Sequence, residues 1–75
     1  MTPDRQAVAL LALHLARLLN GLPRDEARRQ AHGYGSIAHD ELISVGFQPD
    51  EATDIVERVL VDVFRRLDLG DPTAI

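Results

Sequence analysis

Three histidines, His14, His32 and His39, are the residues of this 75-residue chain best suited to bind a metal. A zinc site on a helix commonly uses two histidines four residues apart, and no pair here has that spacing. The chain contains no cysteine, which excludes disulfides and thiolate ligands. We therefore expect no metal site and no cofactor.

Nucleophilic catalysis has equally few candidates, because Ser36 and Ser44 are the only serines. Ser36 precedes a predicted helix, where a serine is a favourable N-cap. The acidic pairs Asp40–Glu41 and Asp50–Glu51 lie in or near predicted helix starts, where carboxylates stabilise the positive end of the helix dipole. Helix-end chemistry thus accounts for these residues, and we predict a protein that is not an enzyme and has no catalytic residues.

The elements that would position these residues are marked by proline and glycine. Pro3, Pro23 and Pro49 are each followed by acidic residues, and proline suits the first position of a helix. Glycines, which favour the left-handed conformation that ends helices, occur at 21, 33, 46 and 70. Thr2 and Ser36 are suitable N-caps. This pattern predicts an all-α fold, a compact bundle of four helices at 3–20, 23–32, 36–45 and 49–68.

The two long helices, the first and the fourth, are expected to be packed by the two short ones. Residues 1–69 would form a single domain, and residues 70–75 a frayed tail. The main apolar face of the first helix is predicted to contain Ala7, Val8, Leu11, Leu15, Leu18 and Leu19. That of the fourth contains Ala52, Ile55, Val56, Val59, Leu60, Val63, Phe64 and Leu67. Its opposite side alternates in charge at 54, 58, 62 and 66.

Charge is divided unevenly along the chain. Residues 1–33 contain five arginines and three acids, 5 − 3 = +2, whereas residues 34–75 contain three arginines and nine acids, 3 − 9 = −6. Arg24, Arg28 and Arg29 form a modest basic patch that could contact an anion such as phosphate. A solvated polar helix explains the patch better, because nucleic-acid-binding proteins usually have a larger basic surface.

A DNA-binding regulator using the second and third helices is one alternative, since a glycine-containing turn would join them as in a helix-turn-helix. The helix that enters DNA in such a motif should present hydrogen-bond donors, but here it carries Asp40 and Glu41. Because these carboxylates would be repelled by phosphate, nucleic-acid binding is disfavoured.

A second alternative comes from residues 33–37, Gly-Tyr-Gly-Ser-Ile. This segment resembles the Gly-x-Asp-Ser-Leu attachment motif of acyl and peptidyl carrier proteins, with Gly35 in place of the aspartate. The length, acidity and four predicted helices are similar too. The resemblance implies a phosphopantetheine arm on Ser36 and recognition of partner enzymes by the helix that follows.

The remaining feature is an apolar stripe outside the main face of the first helix, formed by Leu10 and Leu13. His14 and Arg17 would lie at its rim, and Val61 stands apart on the charged side of the fourth helix. A chain of this size has little stability to spare and often relies on a partner. We therefore predict a protein partner or a second copy at these five residues.

The function expected from the sequence is that of a small regulatory or interaction module that is homodimeric and acts as an adaptor or inhibitor of a partner protein. The apolar run at 7–13 is too short to span a bilayer and lacks the features of a secretory signal. A cytoplasmic location without membrane association is therefore expected.

Overall fold

The computed structural model describes residues 5–72, and this part of the chain is all-α with three helices and no strand. α1 spans Arg5–Leu19, α2 spans Arg24–Ser44 and α3 spans Pro49–Arg66. α1 and α2 each pack along α3 but make few contacts with each other. α3 is therefore the helix around which the bundle is built.

The predicted number of helices, four, is wrong because α2 continues through the expected turn at Gly33–Tyr34–Gly35. The glycines with a positive φ angle in the described residues are Gly21, Gly46 and Gly70. Gly35 instead faces α3, where an added Cβ would lie 3.2 Å from both Leu60 Cδ1 and Val56 Cγ1. Packing of α2 against α3 outweighs the low helix propensity of glycine, so the second and third predicted helices are one.

The C-terminal ends of α2 and α3 have the same hydrogen-bonding pattern. After α2, the N–H groups of Gly46 and Phe47 donate to the carbonyls of Ile43 and Leu42, at 3.1 and 3.0 Å. This is a Schellman motif closed by a left-handed glycine, as predicted for Gly46.

After α3, the residue in the same position is Asp68, with a φ angle of 55°. Its N–H donates to Arg65 O, and that of Leu69 donates to Phe64 O at 2.8 Å. The prediction that Gly70 ends this helix is therefore wrong, although Gly70 also has a positive φ angle, 88°.

The start of α3 agrees with the proline-and-acid pattern. Pro49 is its first residue, and the Glu51 carboxylate accepts a hydrogen bond from the N–H of Gln48 at 3.3 Å. The predicted start of the first helix, including the Thr2 cap, lies outside the described residues. The same holds for residues 73–75 of the predicted tail.

The core is centred on Phe64 of α3, whose side chain is fully buried. The whole predicted apolar face of α3 is buried or half-buried, which confirms that prediction. For α1 the predicted face is wrong in part, because Ala7, Leu11 and Leu18 are exposed and Ala12 and Ala16 are buried instead. Small side chains at the contact allow helices to approach closely, which explains why α1 turns its alanines toward the core.

Candidate protein interaction surface

An apolar groove of about 300 Å³ runs between α1 and α2. α3 forms the floor of the groove. α1 and α2 form its two walls and make few contacts with each other. All but two of the lining residues, Glu41 and Tyr34, have wholly apolar side chains or none. The lining is Leu11, Leu15, Tyr34, Gly35, Ala38, Glu41, Leu42, Ile55, Val56, Val59 and Leu60.

Exposed apolar side chains surround this groove, and we call them the groove rim. Leu11 of α1 and Tyr34 of α2 line the groove and are still exposed. Leu18 lies two turns after Leu11 on the same side of α1, and it is about half exposed. The rim is completed by Ile37, one turn after Tyr34 and about 60% exposed.

The two walls of the groove differ in charge. α1 contains Arg5, His14 and Arg17 and no acidic residue. The half of α2 that borders the groove, residues 34–44, contains Asp40 and Glu41 and no arginine. Of these side chains only that of Glu41 lines the groove, and Arg17 lies in a depression on the other side of α1.

The five residues predicted as an interface do not form one surface. Leu10 and His14 are exposed on α1 and are not part of the groove lining. Leu13 is half-buried on the other side of α1, in a depression that it shares with Arg17 and Leu67. Val61 is exposed on α3 in a shallow depression with Arg65 and Asp68.

The predicted anion patch is also divided, because two of its arginines bind the backbone that follows α3. Arg24 Nη1 donates to Asp68 O at 2.8 Å, and Arg28 Nη1 donates to Leu69 O at 3.3 Å. The Arg28 guanidinium also lies 5.8 Å from the centre of the Phe64 ring. Arg29 is exposed and forms an ion pair with Glu26 at 3.2 Å. Arg24 and Arg28 thus bind the segment that follows α3 to α2, whereas Arg29 is paired on the surface of α2.

Ser36 lies in the interior of α2, exposed, and not at the start of a helix as predicted. The turn required for a helix-turn-helix is absent for the same reason. Both structural features that motivated the two alternatives therefore depend on a helix boundary that α2 does not have.

His39 and His32 contact different residues. His39 Nε2 is 3.1 Å from Thr53 Oγ1, and the His32 ring meets Phe64 edge-to-face with centroids 5.5 Å apart. Within residues 5–72, no group of three His, Cys, Asp or Glu side chains is placed to hold a metal ion.

Comparison with known proteins yields no relative. No protein-family model, curated protein or solved structure matches this chain. Among the described residues, none of the helices has the length and apolar character needed to cross a membrane.

Sequence reasoning missed Leu11, Leu18, Tyr34 and Ile37 as surface residues. Leu11 and Leu18 have the same seven-residue spacing as true core positions, so periodicity assigned them to the core. The signal that could have separated them is the pair Ala12 and Ala16, whose four-residue spacing is typical of a close helix contact. For Tyr34 and Ile37, the assumed turn at residues 33–35 concealed the continuous helical face.

Proposed function

We propose that this chain is a small, non-enzymatic interaction or regulatory module that binds protein through the groove between α1 and α2. The observation that carries the proposal is the combination of an apolar groove with an exposed apolar rim in so small a domain. Exposed apolar patches bordered by polar residues are typical of protein-binding surfaces.

The shape of the groove favours a helix as the bound element. Its walls are α1 and α2, which are antiparallel because only residues 20–23 connect them, and α3 is its floor. An added helix would therefore complete a four-helix arrangement. Such helices lie about 8–10 Å apart. Amphipathic helices bind grooves of this kind through apolar residues at positions i, i+3, i+4 and i+7. We therefore expect the bound partner to present an apolar helical face.

A photo-crosslinking experiment in living cells of the native host tests this proposal. Benzoylphenylalanine is placed at Ile37, on the groove rim, or at Glu57, an exposed position of α3. We expect light to join the Ile37 variant to a protein and to leave the Glu57 variant unmodified. The absence of any adduct at Ile37, or equal adducts at both positions, would contradict a protein-binding role for the groove.

A further inference from the structure

The acidic charge of the chain is concentrated in the segment that forms one wall and part of the floor of the groove. Residues 34–57, the second half of α2 and the first half of α3, contain six acidic residues and no arginine or lysine. The whole chain has a net charge of −4, so its other residues sum to −4 − (−6) = +2. Because only residues 45–48 connect α2 to α3, these two helix halves lie together, and this end of the bundle is acidic.

Glu41 brings one of these charges into the groove itself. Its side chain is exposed and lines the groove, and the other lining residues are uncharged. Within the described residues, no ion pair or side-chain hydrogen bond is found for Glu41. A helix bound in the groove would displace part of the water around this carboxylate, which is unfavourable unless the carboxylate gains a partner. An occupant that supplies a cation at this position compensates for the lost solvation.

We propose that the groove binds a basic amphipathic helix, one whose apolar face ends in a lysine or arginine. The inference rests on the proposed function, because it specifies the chemistry of the partner of the same groove. The cationic side chain pairs with Glu41, and the apolar side chains fill the groove between Leu11 and Tyr34. Charges on a protein surface act over about 8–10 Å at physiological ionic strength. The other carboxylates at this end of the bundle therefore also attract a basic partner.

The length of the groove sets the spacing of the residues that the partner presents. Tyr34 and Glu41 both line the groove and lie seven residues apart on α2, which is about 10 Å at the helical rise. Residues i and i+7 of a bound helix are separated by the same distance. The partner therefore needs an apolar face of about two turns, with its lysine or arginine at the end that lies beside Glu41.

The same charge disfavours other classes of occupant. The phosphates of nucleic acids and the anionic lipids of a membrane surface are repelled by an acidic surface. A second copy placed face to face over the groove would bring two acidic segments, residues 34–57 of each chain, toward each other. Like charges placed together across an interface disfavour that pairing.

A library of helical peptides displayed on phage, with the full-length chain as bait, tests the inference. Each peptide has leucine at i, i+3 and i+4 of one helical face, and its other positions vary among lysine, glutamate, glutamine and alanine. We expect the wild type to enrich lysine over glutamate at least about fivefold at a position one turn beyond the leucines, the preference expected for a charged pair at the rim of an interface.

Two baits with the same change in charge locate the preference. Glu41→Arg should remove the preference for lysine or reverse it toward glutamate. Glu57→Arg is the matched control, because Glu57 is exposed on α3 and does not line the groove, and it should enrich lysine as the wild type does. Circular dichroism checks that both variants are as helical as the wild type.

The outcomes separate the inference from the proposed function. Enrichment of peptides without a preference for lysine, or the same loss of preference in both variants, would overturn the basic partner and leave the proposed function standing. A wild-type dimer in sedimentation that Leu11→Asp splits would show a second copy in the groove, and would also overturn the basic partner. If no peptide is enriched, the inference fails, and photo-crosslinking at Ile37 decides separately whether the proposed function fails with it.

Discussion

Replacing each of the two glycines inside α2 with alanine should change the stability of the protein differently. Both residues are helical, but an added Cβ at Gly33 meets nothing within 4 Å. At Gly35 the same atom would lie 3.2 Å from both Leu60 Cδ1 and Val56 Cγ1. The two substitutions therefore change helix propensity equally and differ in packing, so each is the control for the other.

The magnitudes follow from these contacts. Alanine in place of glycine in a helix interior is worth about 0.8–1 kcal/mol, so Gly33→Ala should raise the free energy of unfolding by nearly that amount. Gly35→Ala gains the same propensity but overpacks the contact between α2 and α3, which typically costs about 1–3 kcal/mol. We expect Gly35→Ala to be neutral or destabilised by as much as about 2 kcal/mol.

Thermal unfolding followed by circular dichroism measures the difference directly. In a domain of this size 1 kcal/mol corresponds to about 4–8 °C in Tm, so Gly33→Ala should melt several degrees above the wild type. Gly35→Ala should melt clearly below Gly33→Ala. If Gly33→Ala is destabilised, then Gly33 belongs to a turn that requires glycine, and the continuous α2 is refuted. Equal stabilisation by both substitutions would refute the close approach at Gly35.

Four further substitutions test the segment after α3 and the core. Arg24→Ala should destabilise the protein by about 1 kcal/mol through loss of a charged hydrogen bond, whereas Arg29→Ala should change stability by less than about 0.5 kcal/mol; equal effects in denaturant titrations would argue against the Arg24 contact. Asp68→Gly should raise Tm because Asp68 has a positive φ angle, and a lower Tm would argue against this helix end. Phe64→Ala should cost about 3–5 kcal/mol, and loss of helical signal at 25 °C is the expected result; a cooperative melt near the wild-type Tm would contradict the central place of Phe64.

The sequence was sufficient to predict α3, because each of its patterns is typical of one structural feature. α3 combines a proline start, acidic residues in the first turn and a wide apolar face, and the structure confirms its beginning and its buried side. Its charge ladder is present as the pairs Asp54–Arg58 and Asp62–Arg66, at 3.1 and 2.8 Å.

Predictions from the sequence were wrong where one residue type can have two structural roles. Gly46 ends a helix and Gly35 permits a close helix contact, yet the residue type alone does not tell these two roles apart. Only the position of Leu60 distinguishes them, and that position is a property of the tertiary structure. Arg24 and Arg28 were similarly ambiguous, because their acceptors are backbone carbonyls more than 40 residues away along the chain.

The prediction of the interaction surface was affected by the same ambiguity in the role of glycine. Leu10 was expected at a surface and is exposed there, but its neighbours were assigned to the wrong side of α1. Once α2 is one continuous helix, Tyr34 and Ile37 lie across a groove from Leu11, and the sequence alone could not define that groove.

The most direct test of the account is the affinity of an enriched helical peptide for the wild type, Leu11→Asp and Val61→Asp, measured by fluorescence anisotropy. The Leu11 substitution loses about 1 kcal/mol of apolar burial and buries an unpaired carboxylate at about 1–3 kcal/mol or more. Together these exceed about 2 kcal/mol, or roughly thirtyfold in Kd. We predict at least this loss of affinity for a helical Leu11→Asp variant, and an affinity equal to that of the wild type for Val61→Asp. A peptide that binds Leu11→Asp as tightly as the wild type would contradict the account.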